Sequence, residues 1–185
     1  MALKLLKNSK QRLKKIRARG NTELCYINPS NYTLTETRPN LKNYAHDIHL
    51  NDLRFQMEKY GADNWIDGKI LFKANYKNDL YKKLPDAIFE NNSKIFAIEY
   101  ESNLKQRYRY LDIIKKYNKE EQIYKVLYIN TDESISNRLK NIFTRKNIKN
   151  KFYEKYWMTE FENIFIGDLR FYNSEDNYVD LADIF

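Results

Sequence analysis

The sequence predicts an α/β domain, a mixed central β-sheet flanked by helices, preceded by a short basic appendage. Three observations carry this. Apolar residues recur at helical spacing over residues 46–60, 103–118 and 133–145. Between the first two lie three strand patterns with no helix pattern among them, which suits an antiparallel trio. After the second comes Lys125–Asn130 (KVLYIN), an almost continuous apolar run of the kind buried at the centre of a sheet. A right-handed crossover from the trio into that strand makes the sheet mixed.

In chain order, residues 2–18 read as a helix with Leu3, Leu6, Leu13 and Ile16 near one face, stopped by Gly20-Asn21. Two β patterns follow, Leu24–Ile27 and Tyr32–Thr35. Asn28-Pro29-Ser30-Asn31 between them favours a turn, so they predict a hairpin. A basic helix followed by a hairpin has the layout of the back half of a winged helix, the helix suited to a groove and the hairpin to a wing. The two further helices of a complete one are missing. This divides the chain into a DNA-binding appendage, 1–40, and an α/β domain, 41–185. The domain opens with a helix from His46 to Tyr60, with Leu50, Leu53, Met57 and Tyr60 on one stripe and Gly61 at its end. Trp65–Lys73, bent at Asp67-Gly68, is the first strand of the trio, and Pro85–Glu90 is the second. Lys94–Glu101 is the third, with Phe96, Ile98 and Tyr100 on one face and Ile95, Ala97, Glu99 and Glu101 on the other. A helix over Asn103–Asn118 should turn Leu104, Tyr108, Leu111 and Ile114 inward. A helix over Glu133–Arg145 and a last strand over Phe161–Ile166 complete the order α-β-β-β-α-β-α-β.

Composition narrows the function classes. The 185 residues suit one domain with a small appendage, and 42% hydrophobic and 15% aromatic residues exclude full disorder. No apolar run approaches the length of a membrane span. A single Cys excludes an internal disulfide framework and a Cys-rich zinc site, and with two His a metal site would have to use carboxylates. The basic N-terminus lacks an apolar signal core, so a cytoplasmic location is expected. There is no Gly-rich phosphate loop for ATP and no Ser/His/Asp set. Net charge is +8, and residues 1–20 hold eight Lys/Arg and no acid, which accounts for all of it. Among these are Lys14, Lys15, Arg17 and Arg19. A second basic stretch, Arg138–Lys155, has seven Lys/Arg against Glu154. Such segments suit a polyanion, DNA or RNA, though a solvated helix face has the same composition.

Three acids stand in apolar strand patterns: Asp86 in Leu84-Pro85-Asp86-Ala87-Ile88-Phe89, and Glu99 and Glu101 in Phe96-Ala97-Ile98-Glu99-Tyr100-Glu101. Carboxylates at i and i+2 of a strand share a face. If the strands of Asp86 and Glu99 are neighbours, their carboxylates converge, and a divalent cation offsets the repulsion and desolvation. Oxygen-only ligation suits Mg²⁺ or Mn²⁺. Such a site hydrolyses phosphodiesters by activating water and polarising a phosphoryl oxygen. Lys105, on the first turn of the next helix, is placed to steady the developing charge, with Arg109 and Asp112 on its face. Strand-end acids that are simply solvated are the alternative.

Leu84-Pro85-Asp86-Ala87-Ile88 together with Ala97-Ile98-Glu99-Tyr100-Glu101 resembles the PD-(D/E)XK nuclease superfamily. Within it, the chain is similar to the replication-relaxation family of plasmid and mobile-element proteins. The likeness runs over residues 1–130: a helix opening at His46 and continuing through Asn51-Asp52, the Pro-Asp strand, the acid-x-acid strand followed by Lys105, and Arg109-Tyr110 ahead of Tyr117. The resemblance implies a restriction-endonuclease-like core, α-β-β-β-α-β, with a trimmed N-terminal winged helix. It implies Asp86 and Glu99 as metal-binding acids, with the main-chain carbonyl of Tyr100 as the third ligand. The superfamily's catalytic Lys falls at position 101, where this chain has Glu101. A Lys displaced onto the helix, Lys105, would replace it, with Glu101 helping in ligation or water positioning.

Further candidates surround this set. His46 and His49, with Asp52 on the face of His49, could contact substrate phosphate, pack locally, or in the case of Asp52 complete the metal site. Tyr110 lies off the predicted buried stripe and could face substrate with Arg109. Trp65 and Trp157 suit the core better than a base-stacking platform. The expected function is a Mg²⁺- or Mn²⁺-dependent DNA endonuclease or nickase of a plasmid, phage or other mobile element. The alternative is a DNA-binding protein without cleavage, in plasmid replication, mobilisation or transcription. A single small domain with one such site suits a homodimer.

Overall fold

The computed structural model describes residues 12–17, 23–28, 44–78, 81–148 and 150–184. The chain divides into two compact units, Met1–Tyr44 and Ala45–Phe185.

In the first unit, β1 (Arg12–Arg17) pairs antiparallel with β2 (Glu23–Asn28), in register from Arg12↔Asn28 to Arg17↔Glu23. This corrects the helix predicted over 2–18, at least across 12–17. Leu, Lys and Arg favour a helix only weakly, and pairing with Glu23–Asn28 (ELCYIN) overrides that preference. The hairpin therefore joins β1 to β2, and the expected partner Tyr32–Thr35 lies outside the described residues. Residues 2–11 and 18–20, including Arg19, lie outside them too. Lys14, Lys15 and Arg17 are on β1.

The second unit begins with α1 (Tyr44–Lys59), ended by Gly61 at φ 92. It continues with β3 (Asp63–Asp67), α2 (Gly68–Asn78), β4 (Ala87–Asn91), β5 (Lys94–Glu101), α3 (Arg107–Tyr117), β6 (Ile123–Asn130) and α4 (Glu133–Ile142). A 3₁₀ turn (Asn150–Lys155), β7 (Tyr156–Glu160), α5 (Phe161–Ile166), β8 (Arg170–Tyr172), β9 (Tyr178–Asp180) and α6 (Leu181–Ile184) follow. The seven strands form one mixed sheet in the order β3-β4-β5-β6-β7-β8-β9. β3, β4 and β5 are antiparallel neighbours, and β5, β6 and β7 run parallel. The expected α/β class, with an antiparallel trio leading into a central apolar strand, is therefore the observed one.

The alternation read in β5 separates two cores. Phe96, Ile98 and Tyr100 pack with Leu50, Leu53 and Met57 of α1. Ala97 packs with Tyr110, Ile113, Ile114 and Tyr117 of α3 and with Ile135, Leu139 and Ile142 of α4. The sheet is thus covered on both faces, as parallel strands require. Local chemistry supports the ends. Asn92 and Ser93 both have positive φ, 47° and 60°, which matches the type I′ turn that β4 and β5 need. The Asp132 carboxylate caps α4 by accepting the Ser134 and Ile135 amides at 2.9 and 3.1 Å. Buried Lys155 donates to the Tyr117 and Glu120 carbonyls at 2.8 and 2.7 Å, closing the end of α3, and burial pushes it down to about 8.

Three expectations fail for identifiable reasons. The strand read over Trp65–Lys73 stops at Asp67, and Gly68 starts α2. Ile70 exposed, Leu71 buried and Phe72 exposed satisfy both periods over so short a run. The last strand read over Phe161–Ile166 is α5, closed by Gly167 at φ 83; the strand is the preceding Tyr156–Glu160. The inward stripe of the helix after β5 is Tyr110, Ile113, Ile114 and Tyr117, whereas Tyr108 is 64% exposed. Tyr suits core and surface alike, so residue type left the helix rotation undecided. Trp157 is buried, and Trp65 stacks on Phe89 at 6.0 Å. Among the described residues no helix is long and apolar enough to cross a membrane.

Candidate active site

The three acids lie at one end of the β4–β5 pair. Asp86 directly precedes Ala87, whose ladder partner is Ile98. Its amide donates to the Ile98 carbonyl at 3.0 Å, and its carbonyl accepts the Gly68 amide at 2.7 Å. With its main chain held on both sides, Asp86 turns its carboxylate to the end of β5, where Oδ2 accepts the Tyr100 amide at 2.9 Å. A strand residue presents its N–H and C=O to the same neighbour, so the Tyr100 carbonyl points to the Asp86 side as well. His46 of α1 reaches the same carboxylate oxygen, with Nε2 3.5 Å from Oδ2. Burial acts to raise the Asp86 carboxyl. His46, the Lys83 ammonium and the Tyr100 amide outweigh it and hold the group below the usual carboxylate range.

Glu99 is only 3% exposed. The Lys83 ammonium donates to its Oε1 at 2.5 Å, and the Tyr117 hydroxyl donates to the same oxygen. Burial, reinforced by the charge of Asp86, pushes Glu99 up against the opposing pull of Lys83 and Tyr117. The two acids are therefore driven in opposite directions, a pattern that separates acid and base roles in one site. The contacts fall on Asp86 Oδ2 and Glu99 Oε1, and among the described residues Asp86 Oδ1 and Glu99 Oε2 carry no hydrogen bond.

Glu101, also buried, is bound by the Lys105 ammonium. Lys105 lies two residues before α3 and not on its first turn, so it shares no helical face with Arg109 or Asp112. Its amide donates to the Tyr110 hydroxyl at 3.1 Å. Tyr110, expected off the buried stripe, is fully buried. Arg109 is exposed, and Asp112 pairs with Lys116 at 2.8 Å. On the opposite face, Tyr100 is buried, which pushes its hydroxyl up to about 12, and it shares a 2.5 Å hydrogen bond with His49 Nδ1. His49 also packs on Phe161, with ring centroids 4.7 Å apart. Asp52 is half-buried and joins neither carboxylate; among the described residues no three His, Cys, Asp or Glu side chains converge as a metal-binding group.

Two parts of the arrangement escaped the sequence reading. One is Lys83, visible as Lys82-Lys83 directly ahead of Leu84-Pro85-Asp86 but lacking any signal that aims it at Glu99. The other is the relay behind His46: Asp47 lies 3.9 Å from His46 Nδ1 and is bound in turn by Lys69. Asp47, then Asp86, raise His46 to about 9. The folded value lies above the unfolded 6.5, so protonated His46 stabilises the fold fully below about pH 6.5, and this contribution is lost as pH rises through about 9. Urea unfolding of wild type and His46→Gln should therefore differ most near pH 6 and converge above about pH 9. A difference independent of pH would show that His46 acts through packing alone.

No family model, no curated protein and no solved structure matches the chain.

Proposed function

We propose that this chain is a metal-dependent DNA endonuclease or nickase, hydrolysing phosphodiester bonds in the service of a plasmid, phage or other mobile element. The observation that carries the reading is the Asp86–Lys83–Glu99 group at the β4–β5 end, two acids brought to one strand end with an ammonium bound to the buried one. The residues fit a hard cation: Asp86 Oδ1, Glu99 Oε2 and the Tyr100 carbonyl are all oxygen donors, and the first two have no hydrogen bond among the described residues. A Mg²⁺ or Mn²⁺ ion held by these residues would supply Lewis-acid chemistry, activating a water and polarising a phosphoryl oxygen.

The protein's own contribution follows from the contacts. His46 and the Tyr100 amide keep Asp86 ionised and oriented. Lys83 is paired with Glu99 and, from the segment before β4, would take the part of the ammonium that the nuclease pattern has at position 101, steadying charge on a bound phosphoryl group. Lys105 remains with Glu101. The order α1, β3–β5, α3, β6 supports a restriction-endonuclease-like core, with α2 as an addition between β3 and β4. The cations of β1, Arg12, Lys14, Lys15 and Arg17, suit contacts to the DNA backbone.

Glu101 in place of the expected Lys favours a second reading, DNA binding without cleavage. Incubating supercoiled plasmid with Mg²⁺, Mn²⁺ or EDTA separates the two. Wild type should nick with metal and not with EDTA, and Asp86→Asn should bind DNA yet fail to nick. Cleavage retained by Asp86→Asn would sink the site, and a folded wild type that shifts DNA without cutting it would favour the second reading.

A further inference from the structure

We propose that the groove between the start of α3 and the end of α4 is a phosphate-binding subsite that holds the nucleic-acid strand next to the carboxylates; this rests on nucleic acid being the substrate. The groove has a volume of about 540 Å³. Lys105, Gln106 and Arg107 line one wall, and Arg138 and Asn141 line the other. Three cations and two amides thus face one cavity, and no carboxylate is among its described lining.

Two of its three cations are not neutralised by an acid. Lys105 pairs with Glu101, as Lys69, Lys116, Lys140, Arg145 and Arg170 elsewhere each pair with an Asp or Glu. Among the described residues, the Arg107 side chain has only a 3.4 Å hydrogen bond to the neutral side chain of Asn147. Arg138 is exposed and has no ion pair among the described residues. An unneutralised Arg pair in a concave site suits phosphate, because the planar guanidinium matches its oxygens. Gln106 makes no side-chain cap to α3; the Arg109 amide donates to the Gln106 carbonyl at 2.9 Å, so the Arg107 and Tyr108 amides are the ones that add donors of the same sign.

Lys105 ties the groove to the acids. It lines the groove while its ammonium binds Glu101, which shares a strand face with Glu99 about 7 Å along β5. A strand whose scissile phosphate sits at Asp86 and Glu99 would pass a neighbouring phosphate over Arg107 and Arg138. This also gives a use to the start of the second basic stretch, which the carboxylate site leaves unexplained.

The test is fluorescence anisotropy of a labelled DNA duplex with the full chain in EDTA, so that cleavage does not enter the readout. Arg107→Ala and Arg138→Ala should each weaken binding roughly ten-fold, irrespective of sequence, and the double variant should lower the salt slope by about 2. Both residues are exposed, so thermal unfolding should not change. Wild-type affinity and slope in the double variant would overturn the subsite, as would a wild type that binds no nucleic acid. Inorganic phosphate that displaces DNA well beyond its ionic-strength effect would also overturn it, in favour of a free-phosphate site. Asp86→Asn separates the two proposals: its loss of cleavage tests the carboxylates, while its binding should match wild type.

Discussion

Lys83→Met is expected to destabilise the domain by about 3–5 kcal/mol at neutral pH, the usual consequence of leaving one partner of a buried pair charged and alone. The Lys83 side chain is 18% exposed and the Glu99 side chain 4%, so water screens the pair little. Without Lys83, the remaining hydrogen bond on Glu99 comes from Tyr117, and burial already raises that carboxyl. The variant should respond by protonating Glu99. A carboxyl whose folded pKa lies above its unfolded value costs stability as pH rises from the unfolded value through the folded one. The deficit should therefore be small near pH 4.5 and grow toward pH 8. Urea unfolding across that range measures it. Lys83→Met combined with Glu99→Gln should recover part of the loss, since removing both charges leaves no unpaired ion. A deficit that is flat with pH and unrelieved in the double variant would show that Lys83 contributes packing instead. In the plasmid assay, Lys83→Met should also lose cleavage if its ammonium acts on the phosphate.

Gly68→Ala is the second large effect, and its sign is contested by two forces. Alanine inside a helix is favoured over glycine by about 1 kcal/mol. At Gly68, however, a Cβ would fall on the Pro85 carbonyl oxygen and within 2.9 Å of the Asp86 carbonyl oxygen. These are backbone atoms, so the strand entry itself must move, and overpacking of this kind costs about 1–3 kcal/mol. The first helical turn gains little from propensity, so the clash should win. The same movement breaks the 2.7 Å hydrogen bond from the Gly68 amide that helps to place Asp86. Gly68→Ala should lower the urea midpoint and reduce metal-dependent nicking more than it reduces DNA binding. A stabilised variant would mean that the Pro85–Asp86 segment yields easily and does not depend on Gly68 for its position.

The sequence was most informative where a pattern was long or two-sided. β5 was legible because its eight residues alternate between two chemically distinct sets, and both sets found a buried partner layer. The strand at the sheet centre was legible from continuous apolarity. Short runs were not: Phe161–Ile166, and the part of α2 over Gly68–Phe72 that continues an apolar strand pattern from Trp65, are too brief for a period of 2 to be told from one of 3.6. In the site, Asp86, Glu99 and Glu101 stood out because acids are conspicuous in apolar strands. Lys83 did not, because a Lys ahead of a strand is commonplace and its contact with Glu99 spans 16 residues.

By itself the sequence determined the α/β class, the concentration of charge at the N-terminus, and the presence of two acids on an apolar strand with a third at the entry to its neighbour. These depend on residue type and near-neighbour spacing, which the chain carries in linear form. Tertiary structure alone decided which cation meets which acid: Lys83 with Glu99, Lys105 with Glu101, and His46 with Asp86. It also decided that Arg12–Arg17 is a strand, and which face of α3 is buried. Each of these depends on segments far apart in sequence, where pairing and burial outweigh local preferences worth only tenths of a kcal/mol per residue.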